Sequence, residues 1–146
     1  MQQVDDSRYP TAPARIWTSR WQNKTLALRD DLVKVSTSVR RPRFRIGYAF
    51  EVMEALAPHG LRHLDGREFD RAYVARLDEF GVDELRRQLL GISGAHDGRD
   101  LVLLCYEDVW ALGDAACHRR AFASWWQAQT GEVVDELPTE SGQPRA

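Results

Sequence analysis

The stretch Leu101-Val102-Leu103-Leu104-Cys105-Tyr106-Glu107-Asp108 leads through a turn at Gly113 into Cys117-His118-Arg119-Arg120-Ala121-Phe122-Ala123-Ser124-Trp125-Trp126, and its reading decides the fold. The apolar run Leu101–Cys105 has the length of a strand rather than a helix, and its lack of polar alternation predicts burial. Tyr106, Glu107 and Asp108 mark a polar crossing at its end. The Ala- and aromatic-rich segment after Gly113 predicts a helix whose N-terminus carries a thiol, an imidazole and a guanidinium.

Working outward, Leu32-Val33-Lys34-Val35-Ser36 alternates as a strand, and Ala14 to Ser19 has the residue types of an earlier one. Phe50 to Leu56 has helical spacing and stops before Pro58, which predicts a short helix. Phe69, Tyr73 and Leu77 form one stripe of a helix over Arg67 to Phe80. Gly81 ends that helix, and Asp83 caps a second one running through Leu85, Leu89 and Leu90. After Gly131, Val133 to Pro138 reads as a short late strand. Strands alternating with helices predict an α/β fold, a single three-layer domain over residues 14–138 with a central, largely parallel sheet. Residues 1–13 and 139–146, polar and punctuated by proline, read as disordered tails.

A chain of 146 residues fits one domain, burying about two-thirds of the surface its unfolded form exposes. No apolar run approaches the roughly 18 residues of a membrane span, and the N-terminus lacks the apolar core of a signal peptide, so the expected setting is cytoplasmic with no membrane partner. Two cysteines without a disulfide framework are expected as thiols.

Net charge is −2 but unevenly spread. Residues 1–50 hold 10 Lys+Arg against 4 Asp+Glu, a balance of +6, and residues 51–146 hold 10 against 18, a balance of −8. Much of the positive excess lies in Val39-Arg40-Arg41-Pro42-Arg43-Phe44-Arg45, which Pro42 and Gly47 place on a loop after a strand. Guanidinium groups there suit phosphate oxygens, so Arg40, Arg41 and Arg43 are candidate substrate-binding residues, with Phe44 or Tyr48 available to stack on a base. A solvated or acid-paired loop is the competing reading. The partner class indicated is a nucleotide or nucleic acid.

Ligands of open α/β sheets tend to sit beyond the carboxyl ends of the strands, where Tyr106, Glu107 and Asp108 fall. Glu107, Cys117, His118 and Arg119 are the candidate catalytic residues. Glu107 or His118 serves as general acid or base, Cys117 as a thiol favoured in its ionised form by a helix N-terminus, and Arg119 as an anion holder. Three readings of the cysteines stay open: a reactive or redox thiol at Cys117, a zinc site shared by Cys105, Cys117 and a histidine, or packing. Adjacent Cys117 and His118 diverge on a helix and the spacing matches no established zinc pattern, so no metal is assigned. Cys105, inside the apolar strand, is expected in the core. His59 and His63 read as surface loop residues. The absence of a Walker or glycine-rich dinucleotide fingerprint leaves no cofactor assigned.

The run LVLLCYED, then CHRRAFASWW and GEVVDEL, preceded by VRRPRFRIGY and ALAPHGL, resembles the domain of unknown function 488 family, from about Arg15 to Leu137. The resemblance implies a compact α/β fold and directs attention to Pro42, Arg43, Tyr48, Cys105, Glu107, Cys117, His118 and Arg119. The chain departs from the family at Thr37-Ser38-Val39-Arg40, where members often carry Asp-Val-Arg after an early strand. These features predict a small enzyme acting on a phosphorylated, nucleotide-like or nucleic-acid substrate. The alternatives are a non-catalytic nucleic-acid or protein-binding module and a thiol redox protein.

Overall fold

A computed structural model describes residues 14–64, 66–106 and 118–138. Its elements are β1 (Ile16–Arg20), β2 (Leu32–Ser36), β3 (Glu51–Val52), α1 (Gly66–Gly94), β4 (Asp100–Cys105), α2 (His118–Thr130) and β5 (Asp135–Glu136). The strands form one sheet in the order β3-β2-β4-β1-β5, and every pairing is parallel. This is the α/β fold expected from the sequence.

β4 is the middle strand, held by β1 through Ile16↔Leu101 to Arg20↔Cys105 and by β2 through Leu32↔Asp100 to Ser36↔Leu104. Covered on both faces, it shows why an unbroken apolar run was needed there: Leu101 to Cys105 are all buried. Alternate side chains divide between two cores. Ile16, Val33, Val35, Leu101 and Leu103 face the helices with Tyr73, Leu77, Leu85, Leu89, Phe122 and Trp126. Leu32, Val102 and Leu104 face the other way, with Trp21, Leu26 and Leu137.

The helical layer consists of α1 and α2. α1 is broken at Gly81, whose φ of 82° and ψ of 158° suit a residue without Cβ, so two helical segments meet at the glycine. Trp125 Nε1 donates to Asp78 Oδ1 at 2.8 Å, and Tyr73 Oη donates to the Leu56 carbonyl at 2.6 Å, tying α1 to α2 and to the sheet margin.

The opposite layer contains no α-helix among the described residues. A 3₁₀ helix, Lys24–Leu28, and the irregular segment 41–50 cover that face. From position 41 to 50 burial alternates strictly: Phe44, Ile46, Tyr48 and Phe50 pack toward the sheet while Arg41, Arg43 and Arg45 project outward.

The short helix expected over Phe50–Leu56 is instead an edge strand, β3, followed by a 3₁₀ turn, Glu54–Leu56. Pro58 leaves too few residues for a stable helix, and a single turn suffices to bury both Met53 and Leu56. The Met53 amide donates to the Ser36 carbonyl at 3.0 Å, extending the pairing with β2. Among the described residues no helix is long and apolar enough to cross a membrane.

Candidate functional site

β2 continues toward β3 at one sheet edge, whereas the segment after β4 leads through α2 to β5 at the other. The two neighbouring strands therefore send their chains in opposite directions, and the carboxyl ends of such a strand pair are the usual ligand position in open α/β sheets. Thr37 and Ser38 lie on the β2 side of this point, and Cys105 and Tyr106 on the β4 side.

His118, the first residue of α2, reaches the end of β2 and is buried. Its Nε2 lies 2.9 Å from Thr37 Oγ1 and 2.9 Å from the Thr37 carbonyl oxygen. The Thr37 hydroxyl spends its single proton on the Leu104 carbonyl, at 2.9 Å. A carbonyl only accepts, so Nε2 carries the hydrogen and donates to both oxygens of Thr37. His118 thus does not deprotonate Thr37 through this nitrogen; it ties α2 to the end of β2, with its ring edge-on to Tyr73 at 5.6 Å.

Arg119 also turns inward. Its Nε donates to Glu136 Oε1 at 3.0 Å, its Nη2 to Glu136 Oε2 at 2.7 Å, and its Nη1 to Cys105 Sγ at 2.8 Å. Both side chains of this fork-to-fork pair are out of solvent, 0 % and 5 % exposed. Thr18 Oγ1 adds a 2.7 Å hydrogen bond to Glu136 Oε1. A guanidinium satisfied this way is a structural tie between α2, β4 and β5 rather than an open anion holder. Cys105 is buried as a thiol. Glu107 and Cys117 lie outside the described residues.

The arginines of the loop are arranged differently. Arg40, Arg41, Arg43, Arg45 and Arg62 are exposed, and none of them makes an ion pair among the described residues. Arg40, Arg43 and Arg62 gather around Tyr106, which is 42 % exposed at the end of β4. Partial burial raises the Tyr106 hydroxyl above its ordinary pKa, and the positive charges of Arg43, Arg62 and Arg40 oppose that rise. Tyr106 Oη donates to the Arg40 carbonyl at 2.9 Å, and Phe44 packs edge-on against its ring at 6.3 Å. Arg41 lies over the Phe50 ring at 5.4 Å.

Tyr48 supports this arm from beneath. Its hydroxyl donates to the Trp21 carbonyl at 2.7 Å and its ring stacks with Trp21 at 6.5 Å, while burial pushes the phenol well above its ordinary pKa. Trp21 Nε1 in turn donates to Ser38 Oγ at 2.9 Å, connecting the aromatic layer to the end of β2.

Two groups thus emerge at one end of the sheet: His118 with Thr37, and Arg119 with Cys105 and Glu136, both inside; and Arg40, Arg43 and Arg62 with Tyr106 outside. Thr37, Glu136, Tyr106 and Arg62 were not among the residues singled out as a site. Tyr106 had a signal, its position immediately after the central strand. Arg62 and Glu136 had none, because contacts across 44 and 17 residues depend on the topology. No group of three or more His, Cys, Asp or Glu able to hold a metal ion occurs among the described residues. No family model, no curated protein and no solved structure matches the chain.

Proposed function

We propose that the protein binds a phosphate-bearing ligand, a nucleotide or single-stranded nucleic acid, at the carboxyl end of its sheet. The observation that carries this reading is the gathering of Arg40, Arg43 and Arg62 around the half-exposed ring of Tyr106 without a carboxylate partner among the described residues. Guanidinium groups take phosphate oxygens in pairs, and an accessible aromatic ring offers a stacking surface for a base. On this reading His118 and Arg119 hold the scaffold that presents the arm. The resemblance to the domain of unknown function 488 family, an expectation from the sequence, shares only Arg43 with the cluster around Tyr106 and supplies no activity.

Binding of a fluorescent oligothymidylate followed by anisotropy over a range of salt tests the proposal. Affinity falls as salt rises, and replacing Arg40, Arg43 and Arg62 by Gln lowers the steepness of that fall by about 0.7 for each phosphate no longer neutralised. Affinity that is insensitive to both salt and the three substitutions contradicts it. Tyr106→Leu weakens the oligonucleotide more than inorganic pyrophosphate, because only the former has a base to stack.

An enzymatic use of the same end is the second reading, favoured by the position of the arm at the reversal of strand order. It requires a reactive group beside the arm, for which Glu107 and Cys117 are the candidates. Glu107→Gln and Cys117→Ala variants that bind normally but lose turnover of a bound phosphate ester support it, and unchanged turnover removes it.

A further inference from the structure

On the sheet face away from α1 and α2, toward the amino end of β2, lies a cavity of about 500 Å³ lined in part by Lys34, Tyr48, Asp30, Glu51, His96 and Arg99. Its size is that of a small-molecule pocket. Lys34 is 7 % exposed, an unusual placement for an amine in mid-strand. Its Nζ donates to the Arg29 carbonyl at 2.7 Å and lies 5.7 Å from the centre of the Tyr48 ring. A lysine pointing outward would cover the sheet with its stem and put its amine in water; here the amine is held at a cavity wall. The carboxylates at the wall differ in their engagement: Glu51 Oε2 is held by His96 Nε2 at 2.6 Å, whereas Asp30 is exposed. Arg99 is half exposed and meets Asp97 only at 4.0 Å, leaving its guanidinium able to take another anion.

We propose that this cavity captures a small anionic carbonyl compound, an aldehydo or keto acid, with Lys34 forming an imine to its carbonyl carbon and Arg99 receiving its carboxylate. The neutral amine adds to the carbonyl carbon, a C–N bond forms, and the π pair moves to oxygen. The oxygen then leaves as water with both amine hydrogens, so the step needs no oxidant or reductant. Burial lowers the Lys34 pKa, assisted by the positive charges of Arg29 and Arg99 and opposed by Asp30 and Asp31, which enlarges the neutral fraction near pH 7.

The chain has two lysines, so Lys24 provides an internal reference. The full chain is treated near neutral pH with glyoxylate and cyanoborohydride, which reduces the imine to a stable secondary amine, and modification of each lysine is followed by peptide mass spectrometry. A parallel series uses acetaldehyde, which has no carboxylate. Lys34 reacts with glyoxylate faster than Lys24, because burial lowers the Lys34 pKa and enlarges the neutral fraction of its amine. Arg99→Gln slows glyoxylate at Lys34 more than acetaldehyde, which loses only the small help that the Arg99 charge gives to the neutral amine. Equal rates at Lys34 and Lys24 overturn the imine, and a glyoxylate preference that survives Arg99→Gln overturns the carboxylate site.

Discussion

Arg119 and Arg43 carry the same functional group near the same end of one sheet, and the fold uses them in opposite ways. Arg119 is shut away from water with its donors on Glu136 and Cys105. Arg43 is exposed on an arm whose alternate residues anchor it to the sheet. The contrast shows that an arginine beside a sheet's carboxyl end is not by that fact a ligand contact. Whether the topology supplies it with a buried acid decides whether it joins the scaffold or faces outward. Glu136 reaches Arg119 because β5 pairs with β1, setting the carboxylate beneath the start of α2.

The comparison breaks first at its buried half. Glu136→Ala leaves a guanidinium in a site closed to water and lowers unfolding stability by about 3–5 kcal/mol, seen as a reduced urea midpoint. A loss below about 1 kcal/mol shows that Arg119 reaches solvent or another acid. His118→Ala, which strips the donor from both Thr37 oxygens, costs about 1–3 kcal/mol in the same measurement. Neither change alters oligonucleotide affinity of the folded protein beyond what partial unfolding explains.

The exposed half behaves in the reverse sense. Replacing Arg40, Arg43 and Arg62 together by Gln changes stability by within about 0.5 kcal/mol, as exposed substitutions usually do, while weakening binding of a phosphate ligand. Thermal melts beside anisotropy titrations separate the two effects. A small pH-dependent effect belongs to Glu132. Burial pushes its carboxyl up, but the hydrogen bonds from Arg86, at 2.9 Å, and Trp126, at 3.0 Å, outweigh this and hold its pKa below the usual range. A depressed folded pKa gives stability that is present above the unfolded value and lost as pH falls through the folded one. Partial exposure and screening keep the contribution within about 1 kcal/mol. The stability gap between the parent and Glu132→Gln is widest near neutral pH and closes in acid; a gap that widens on acidification contradicts the sign.

Local pattern carried much of the fold. Leu101–Cys105 announced a buried central strand, Leu32–Ser36 has the same limits in the structure and in the sequence reading, and Gly81 divides α1 where the glycine was expected to end a helix. β3 escaped notice because two residues between Phe50 and Met53 have no periodicity, and only the partner β2 makes them a strand. The arginine arm read as a loop, yet its outward arginines and inward Phe44, Ile46, Tyr48 and Phe50 already alternated in the sequence. What the sequence left open was which arginines have acids. Arg119 was a candidate anion holder on local grounds, since nothing near it in the chain discloses Glu136, which arrives through β5.

Arginine footprinting with phenylglyoxal tests the contrast most directly, with modification of each guanidinium read by peptide mass spectrometry with and without bound oligothymidylate. The account predicts that Arg40, Arg43 and Arg62 are modified in the free protein and protected in the complex, and that Arg119 is unmodified in both. Modification of Arg119 in the free protein with protection on binding, or rim arginines equally reactive in both states, would contradict it.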